Sequence, residues 1–139
     1  MRVRCSGEYP SGELLELLGP DFHRKQAFAI SIGKEYLVLG MFFARGEPFG
    51  IGPWIEFKDD EGQFGQAPLA LFEIIDPRVS RFWEARYWEN GVVGLGPPSF
   101  HRDFYMEDYY EGVPEIVEDF ERVCRLMESE FDGGISEKS

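Results

Sequence analysis

The chain has 139 residues, a mass of 16.0 kDa and a formal net charge of −12, with 43% hydrophobic and 16% aromatic residues. That length suits one domain whose core needs neither cross-links nor metal, and the content of Phe and Tyr excludes an intrinsically disordered chain. The acidic balance argues against nucleic acid as a direct partner, because phosphate recognition needs the opposite sign.

Arg2–Ser6 reads as a short edge strand. Ser11-Gly12-Glu13 then leads into Leu14, Leu15, Leu17 and Leu18, and Gly19-Pro20 stops the segment, which predicts a short helix. Two apolar arms follow, Ala27–Ile32 and Glu35–Ala44, joined at Gly33-Lys34, where glycine at the first turn position fits a type II′ hairpin. The second arm is apolar on both faces and is expected at the centre of the sheet. Its run from Tyr36 to Ala44 is interrupted by Gly40 and is too short to cross a bilayer. Arg45–Pro53 carries three glycines and two prolines and is expected to be a loop. Trp54–Lys58 alternates as a strand, with Ile55 and Phe57 on one face and Trp54, Glu56 and Lys58 on the other. Asp59-Asp60-Glu61-Gly62 turns the chain into Gln63–Gln66, and Leu69–Ile75 predicts a further buried strand.

Residues 76–96 leave two readings open. Asp76-Pro77 is a good helix start, with Asp as N-cap and Pro at the first helical position, whereas Asn90-Gly91 is a strong hairpin signal. A helical turn at 77–81 followed by a hairpin accommodates both, and helix against strand over 77–89 stays undecided. The hairpin would set Trp88 against Val93 and Tyr87 against Gly94, with Trp83 and Tyr87 lying over the bare backbone of Gly94 and Gly96.

Gly96-Pro97-Pro98 ends the sheet. From Pro114 onward, Ile116, Phe120, Val123, Met127 and Phe131 recur at helical spacing, widened by Val117 and Cys124, which predicts a long amphipathic helix with its acids outward. Gly133-Gly134 is the expected stop, and residues 135–139 the expected disordered tail. The predicted class is α+β, in one domain over residues 1–134. It consists of a mainly antiparallel sheet of about five to seven strands, a short N-terminal helix and the long C-terminal amphipathic helix packed on the sheet.

Signatures of catalysis or cofactor binding are missing. Cys5 and Cys124 lack C-x-x-C spacing and are expected as reduced, buried thiols. Neither His23 nor His101 has a partner at metal-ligand spacing. Gly46–Gly52 lacks G-x-G-x-x-G and the P-loop lysine, and no G-x-S-x-G occurs. No catalytic residue, metal or cofactor is therefore assigned. Met1–Gly7 has no apolar core of a signal peptide, so a cytoplasmic location is expected, with no membrane partner.

The charge is concentrated near the C-terminus. Residues 1–102 carry a net −3 and residues 103–139 a net −9. Between Asp103 and Glu121 eight carboxylates stand without one basic residue, and Phe104, Tyr105, Tyr109 and Tyr110 sit among the first of them. Beyond Pro114 the acids belong to the solvent face of the predicted helix. The segment Asp103–Glu111 is therefore the candidate binding surface. Asp103, Glu107, Asp108 and Glu111 supply charge complementarity to a basic protein, and Tyr105, Tyr109 and Tyr110 supply anchoring rings. Phe104 is expected in the core. The plainer reading makes the aromatics core residues and the acids merely solvated.

The aromatic-rich run Trp83–Phe104, with its Gly-Pro-Pro-Ser-Phe, and the acidic stretch Asp103–Glu121 leading into a C-terminal helix resemble the small acidic immunity proteins of bacterial toxin systems. The resemblance lies in general character, and it implies a cytosolic protein that binds a cognate toxin, for instance of nuclease type, and occludes its active site. The competing reading is a small-ligand or enzymatic domain with its site by the Gly46–Trp54 loop and Trp88. A deep pocket lined by convergent polar groups favours that reading, and a flat acidic ridge favours the binding protein. A homodimer joined through exposed aromatics is a third reading, opposed by a charge of −12 on each chain.

Overall fold

In the computed structural model, which describes residues 1–7, 12–18, 28–46 and 49–138, the strands divide between two antiparallel sheets. The first contains β1 (Arg2–Cys5), β2 (Glu35–Leu37) and β6 (Phe72–Asp76), in the order β2-β1-β6. The second contains β3 (Gly40–Gly46), β4 (Gly50–Lys58), β5 (Phe64–Pro68), β7 (Glu84–Tyr87) and β8 (Val93–Gly96), in the order β5-β4-β3-β8-β7. Three helices complete the described residues: α1 (Gly12–Leu18), α2 (Tyr105–Tyr110) and α3 (Pro114–Lys138). The predicted α+β class with a C-terminal helix holds, and the one expected sheet is two. His23, Ala27 and the Gly19-Pro20 stop lie outside the described residues.

The split originates in the second apolar arm. Val38 donates its amide to the Met1 carbonyl at 2.9 Å, on the side of the first sheet, while Leu39 donates to the Glu56 carbonyl at 2.8 Å, in the second. Successive buried amides thus serve different sheets, and the chain turns a corner between β2 and β3. The first arm forms no strand over its described part. A turn from Ser31 to Lys34 is present, with Gly33 at φ 86, but the Ser31 amide is taken by the Tyr36 hydroxyl at 2.8 Å instead of a partner strand. β1 is central in its sheet, not at an edge, because β2 and β6 pair on its two sides.

The expected loop Arg45–Pro53 is largely strand, since β3 and β4 pair out to Gly46 opposite Gly50. Gly50 at φ 78 and Gly52 at φ 132 take conformations that side chains oppose. Pro53 is tolerated inside β4 because β5 pairs only from Trp54 onward, so that side of the strand needs no donor there. Leu69–Leu71 is a 3-10 turn before β6.

The helical turn expected at 77–81 does not form. Its amides find side chains: Arg78 N–H donates to Asp76 Oδ1 at 3.1 Å, Arg81 N–H to Glu130 Oε2 at 2.7 Å, and Phe82 N–H to Ser80 Oγ at 3.0 Å. The buried Ser80 hydroxyl also donates to Glu130 Oε1 at 2.7 Å, which ties the segment to α3. The hairpin does form, one residue out of the expected register, with Tyr87 opposite Val93 and Arg86 opposite Gly94.

Alternation in β4 and β5 assigns the two faces of the larger sheet. Ile55, Phe57 and Ala67 point toward the smaller sheet and join Val3, Tyr36 and Val38 in one core. Phe64 points the opposite way and joins Leu39, Phe120, Val123 and Met127 under the helices. The stripe Ile116, Phe120, Val123, Met127, Phe131 is buried throughout, as its spacing predicts. α3 continues through Gly133-Gly134 to Lys138, since glycine weakens a helix by about 1 kcal/mol per residue without sterically barring it. Cys5 and Cys124 are buried thiols, and burial pushes Cys124 up to about 12. Among the described residues no helix is long and apolar enough to cross a membrane.

Candidate functional site

The chain leaves β8 through a 3-10 turn at Pro98–His101 and enters α2 through Phe104, whose backbone is left-handed at φ 63 and ψ 23. A bulky residue seldom takes that conformation, which strains it by about 1–2 kcal/mol. The benefit falls to its neighbours: Phe100 and Tyr105 turn inward on either side, their ring centroids 4.9 Å apart. Phe104 itself is turned out and is 71% exposed, so the expectation that it joins the core is overturned.

Tyr105 and Tyr109 are 4% and 7% exposed. They are one helical turn apart and both face inward. Tyr109 stacks on Phe120 at 4.9 Å, and Tyr105 donates its hydroxyl to Asp119 Oδ2 at 2.7 Å. Burial first, and then Asp119, hold the Tyr105 hydroxyl well above the usual phenol range. Neither ring can anchor a partner, and the i,i+4 spacing of the two tyrosines is the signal that could have assigned them to the core. Asp108 is also partly withdrawn, paired to Arg102 Nη1 at 2.8 Å. Of the seven residues predicted to bind, Asp103, Glu107, Tyr110 and Glu111 remain exposed. Tyr110 is 56% exposed although its hydroxyl bonds to the Phe64 carbonyl. Phe104, exposed at the N-cap of α2, joins them.

Beside this ridge is a cavity of about 460 Å³, reached by Met106 and Glu107 from α2. Its floor is the face of the larger sheet that carries Glu56, Gln66 and three glycines. Gln66 Nε2 donates to Glu56 Oε2 at 3.1 Å. The other carboxylate oxygen lies over Gly40, where a Cβ would stand 2.8 Å from Oε1 and 3.0 Å from the Leu95 carbonyl. Burial pushes Glu56 up to about 7, offset in part by the Gln66 donor.

No family model, curated protein or solved structure matches the chain.

The cavity wall is built by the β7–β8 hairpin. Trp88 lies on Gly94 so closely that a Cβ there would overlap the indole. The expected ring against glycine is thus present, but it is Trp88 instead of Trp83 or Tyr87, because the hairpin register differs by one residue. His101 meets Trp88 edge-on at 5.6 Å and donates Nε2–H to the Glu84 carbonyl at 2.8 Å, which leaves Nδ1 as an acceptor in the neutral ring. Arg86 stacks over Trp88 at 5.5 Å and donates to the His101 carbonyl at 3.0 Å. Phe42 and Phe49, 5.1 Å apart, also line the cavity. Among the described residues no cluster of three His, Cys, Asp or Glu side chains is placed to hold a metal. Glu56 escaped sequence reasoning because an acid alternating with Ile55 and Phe57 reads as a solvent-facing position. The signal was the glycine content of β3 and β8, which leaves that face of the sheet open.

Proposed function

We propose that this protein is a non-enzymatic binding module of the immunity type, acting in the cytoplasm, which covers a basic site on a cognate toxin with the ridge of α2. The observation that carries this reading is Phe104, an exposed ring held in a left-handed backbone conformation and flanked by Asp103, Glu107 and Glu111. The turn itself serves the packing of Phe100 and Tyr105, but a bulky ring at its strained position, gaining no burial, is explained when that ring is used on a partner. Tyr110 adds a second exposed ring whose hydroxyl is already fixed, so little rotamer freedom remains to be lost on binding. The carboxylates would steer a basic cleft toward these rings, and the sequence resemblance to immunity proteins points the same way.

The test is co-purification with the products of the genes that flank its own, followed by kinetics with the captured protein. A basic partner is expected, whose release is slower from the native chain than from Phe104→Ala by at least about tenfold, the loss typical of an interface hot spot. Failure of every flanking product to bind, or a partner indifferent to Phe104→Ala, overturns the reading.

A further inference from the structure

We propose that the cavity above Glu56 binds an organic cation of the guanidinium or alkylammonium class. The lining chooses the chemistry. At the floor stands one carboxylate, which when ionised only accepts hydrogen bonds, and Glu107 adds a second negative group at the rim. The walls carry the rings of Phe42, Phe49, Trp88 and Phe100, and Trp88 already holds the Arg86 guanidinium at 5.5 Å, a contact that favours a cation over an anion. An apolar occupant would leave Glu56 buried without a counter-charge, and an anion would meet two carboxylates. A planar guanidinium matches the carboxylate with paired donors and stacks on the aromatic walls, which gives it preference over an ammonium of equal charge. The volume of about 460 Å³ falls within the range of small-molecule sites. None of the floor residues belongs to α2, and the cavity shares Glu107 with the ridge only at its rim.

The charged and titratable groups around the floor are few. Glu56 on β4 faces Gln66 on β5 and Gly40 on β3; His101 and Glu107 line the cavity, and Arg86 stacks on Trp88. Because burial holds Glu56 up to about 7, a cation must compete with a proton, and its affinity should fall about tenfold per pH unit below that value.

The experiment is a titration of the full chain with ethylguanidinium, and in parallel with a blocked Gly-Arg-Gly peptide, followed by the Trp88 indole N–H and the Gly94 amide in nitrogen-15 spectra. Saturable shifts at both groups, weakened at least about tenfold in Glu56→Gln and on acidification of the native chain, are expected. Binding of both probes assigns the site to an arginine side chain presented by a peptide or protein. Binding of ethylguanidinium alone assigns it to a free small cation. Absence of saturable shifts, equal affinity in Glu56→Gln, or affinity flat with pH overturns the proposal, and the pH series needs no variant to fold.

Discussion

Glu107 and Glu56 stand at the rim and floor of one cavity and occupy different media. Glu107 is exposed on α2 with Asp103 and Glu111 around it, whereas Glu56 is half-buried at the cavity floor, with burial as the main influence on its proton. Counting acids along the chain finds the first kind and overlooks the second. The difference shows that the capacity of a carboxylate for chemistry follows its access to water more than its number. Solvated acids attract partners over distance, and a desolvated acid demands a specific counter-group at contact.

The same contrast runs through the aromatic rings of α2, where it is easiest to break. Tyr109→Ala removes a ring stacked on Phe120 and should destabilise the chain by about 3–5 kcal/mol. Phe104→Ala removes a ring in water and should change stability by less than about 0.5 kcal/mol. Urea denaturation of the two variants side by side decides the point. Equal losses would show that the division of the segment into inward and outward rings is wrong.

Glu56→Gln sharpens the comparison through pH. The folded chain raises this group from 4.5 to about 7, so it binds the proton more tightly than the unfolded chain does. The stability it contributes is therefore present below its unfolded value of 4.5 and is lost as pH rises through about 7. At 1.36 kcal/mol per unit the whole effect is of the order of 3 kcal/mol. Glu56→Gln should match the native chain at acid pH and exceed its stability by up to about 3 kcal/mol at pH near 8. Chemical denaturation across that interval tests it, and parallel curves for the two proteins would sink the raised proton affinity assigned to Glu56. A residue that weakens the native chain at neutral pH is the kind retained for binding rather than for folding.

Phe104→Gly isolates the strain. Glycine accepts φ 63 without the steric penalty, and the lost ring buries nothing, so the variant should gain about 1 kcal/mol of stability after the entropy of the unfolded glycine is counted. A melting temperature that falls instead would mean that the exposed ring contributes to the fold.

How much of this was legible depends on whether a signal was local. The stripe from Ile116 to Phe131 repeats at one period over a long segment and predicted α3 directly. The Asn90-Gly91 hairpin was visible too, because turn chemistry needs only adjacent residues. What failed needed knowledge of distant partners. The Met1 and Glu56 carbonyls that divide β2 from β3, and the Glu130 carboxylate that takes the amide of Arg81, are remote in sequence from the groups they bind. The site divides likewise. Acids of the ridge declared themselves by composition, whereas Glu56 became a cavity floor only through the register that places Gly40 and Gln66 beside it.

The smallest expected effect on folding carries the largest consequence for the ridge. Asp103→Lys with Glu111→Lys changes two exposed carboxylates that do not line the cavity, so stability should stay within about 0.5 kcal/mol. Asp108 is the wrong choice for this purpose, because its pairing with Arg102 would be broken as well. Association with a basic partner should slow by about tenfold or more at low ionic strength, and the native and variant rates should converge as salt shortens the Debye length toward 3 Å at 1 M. Binding of ethylguanidinium to the cavity should be unchanged in the same protein, since Glu56 and its walls are intact. Stopped-flow kinetics over a salt series reads the first effect and the Trp88 indole signal reads the second. Loss of both together would mean that ridge and floor act as one site, and persistence of fast association would remove the carboxylates of the ridge from steering.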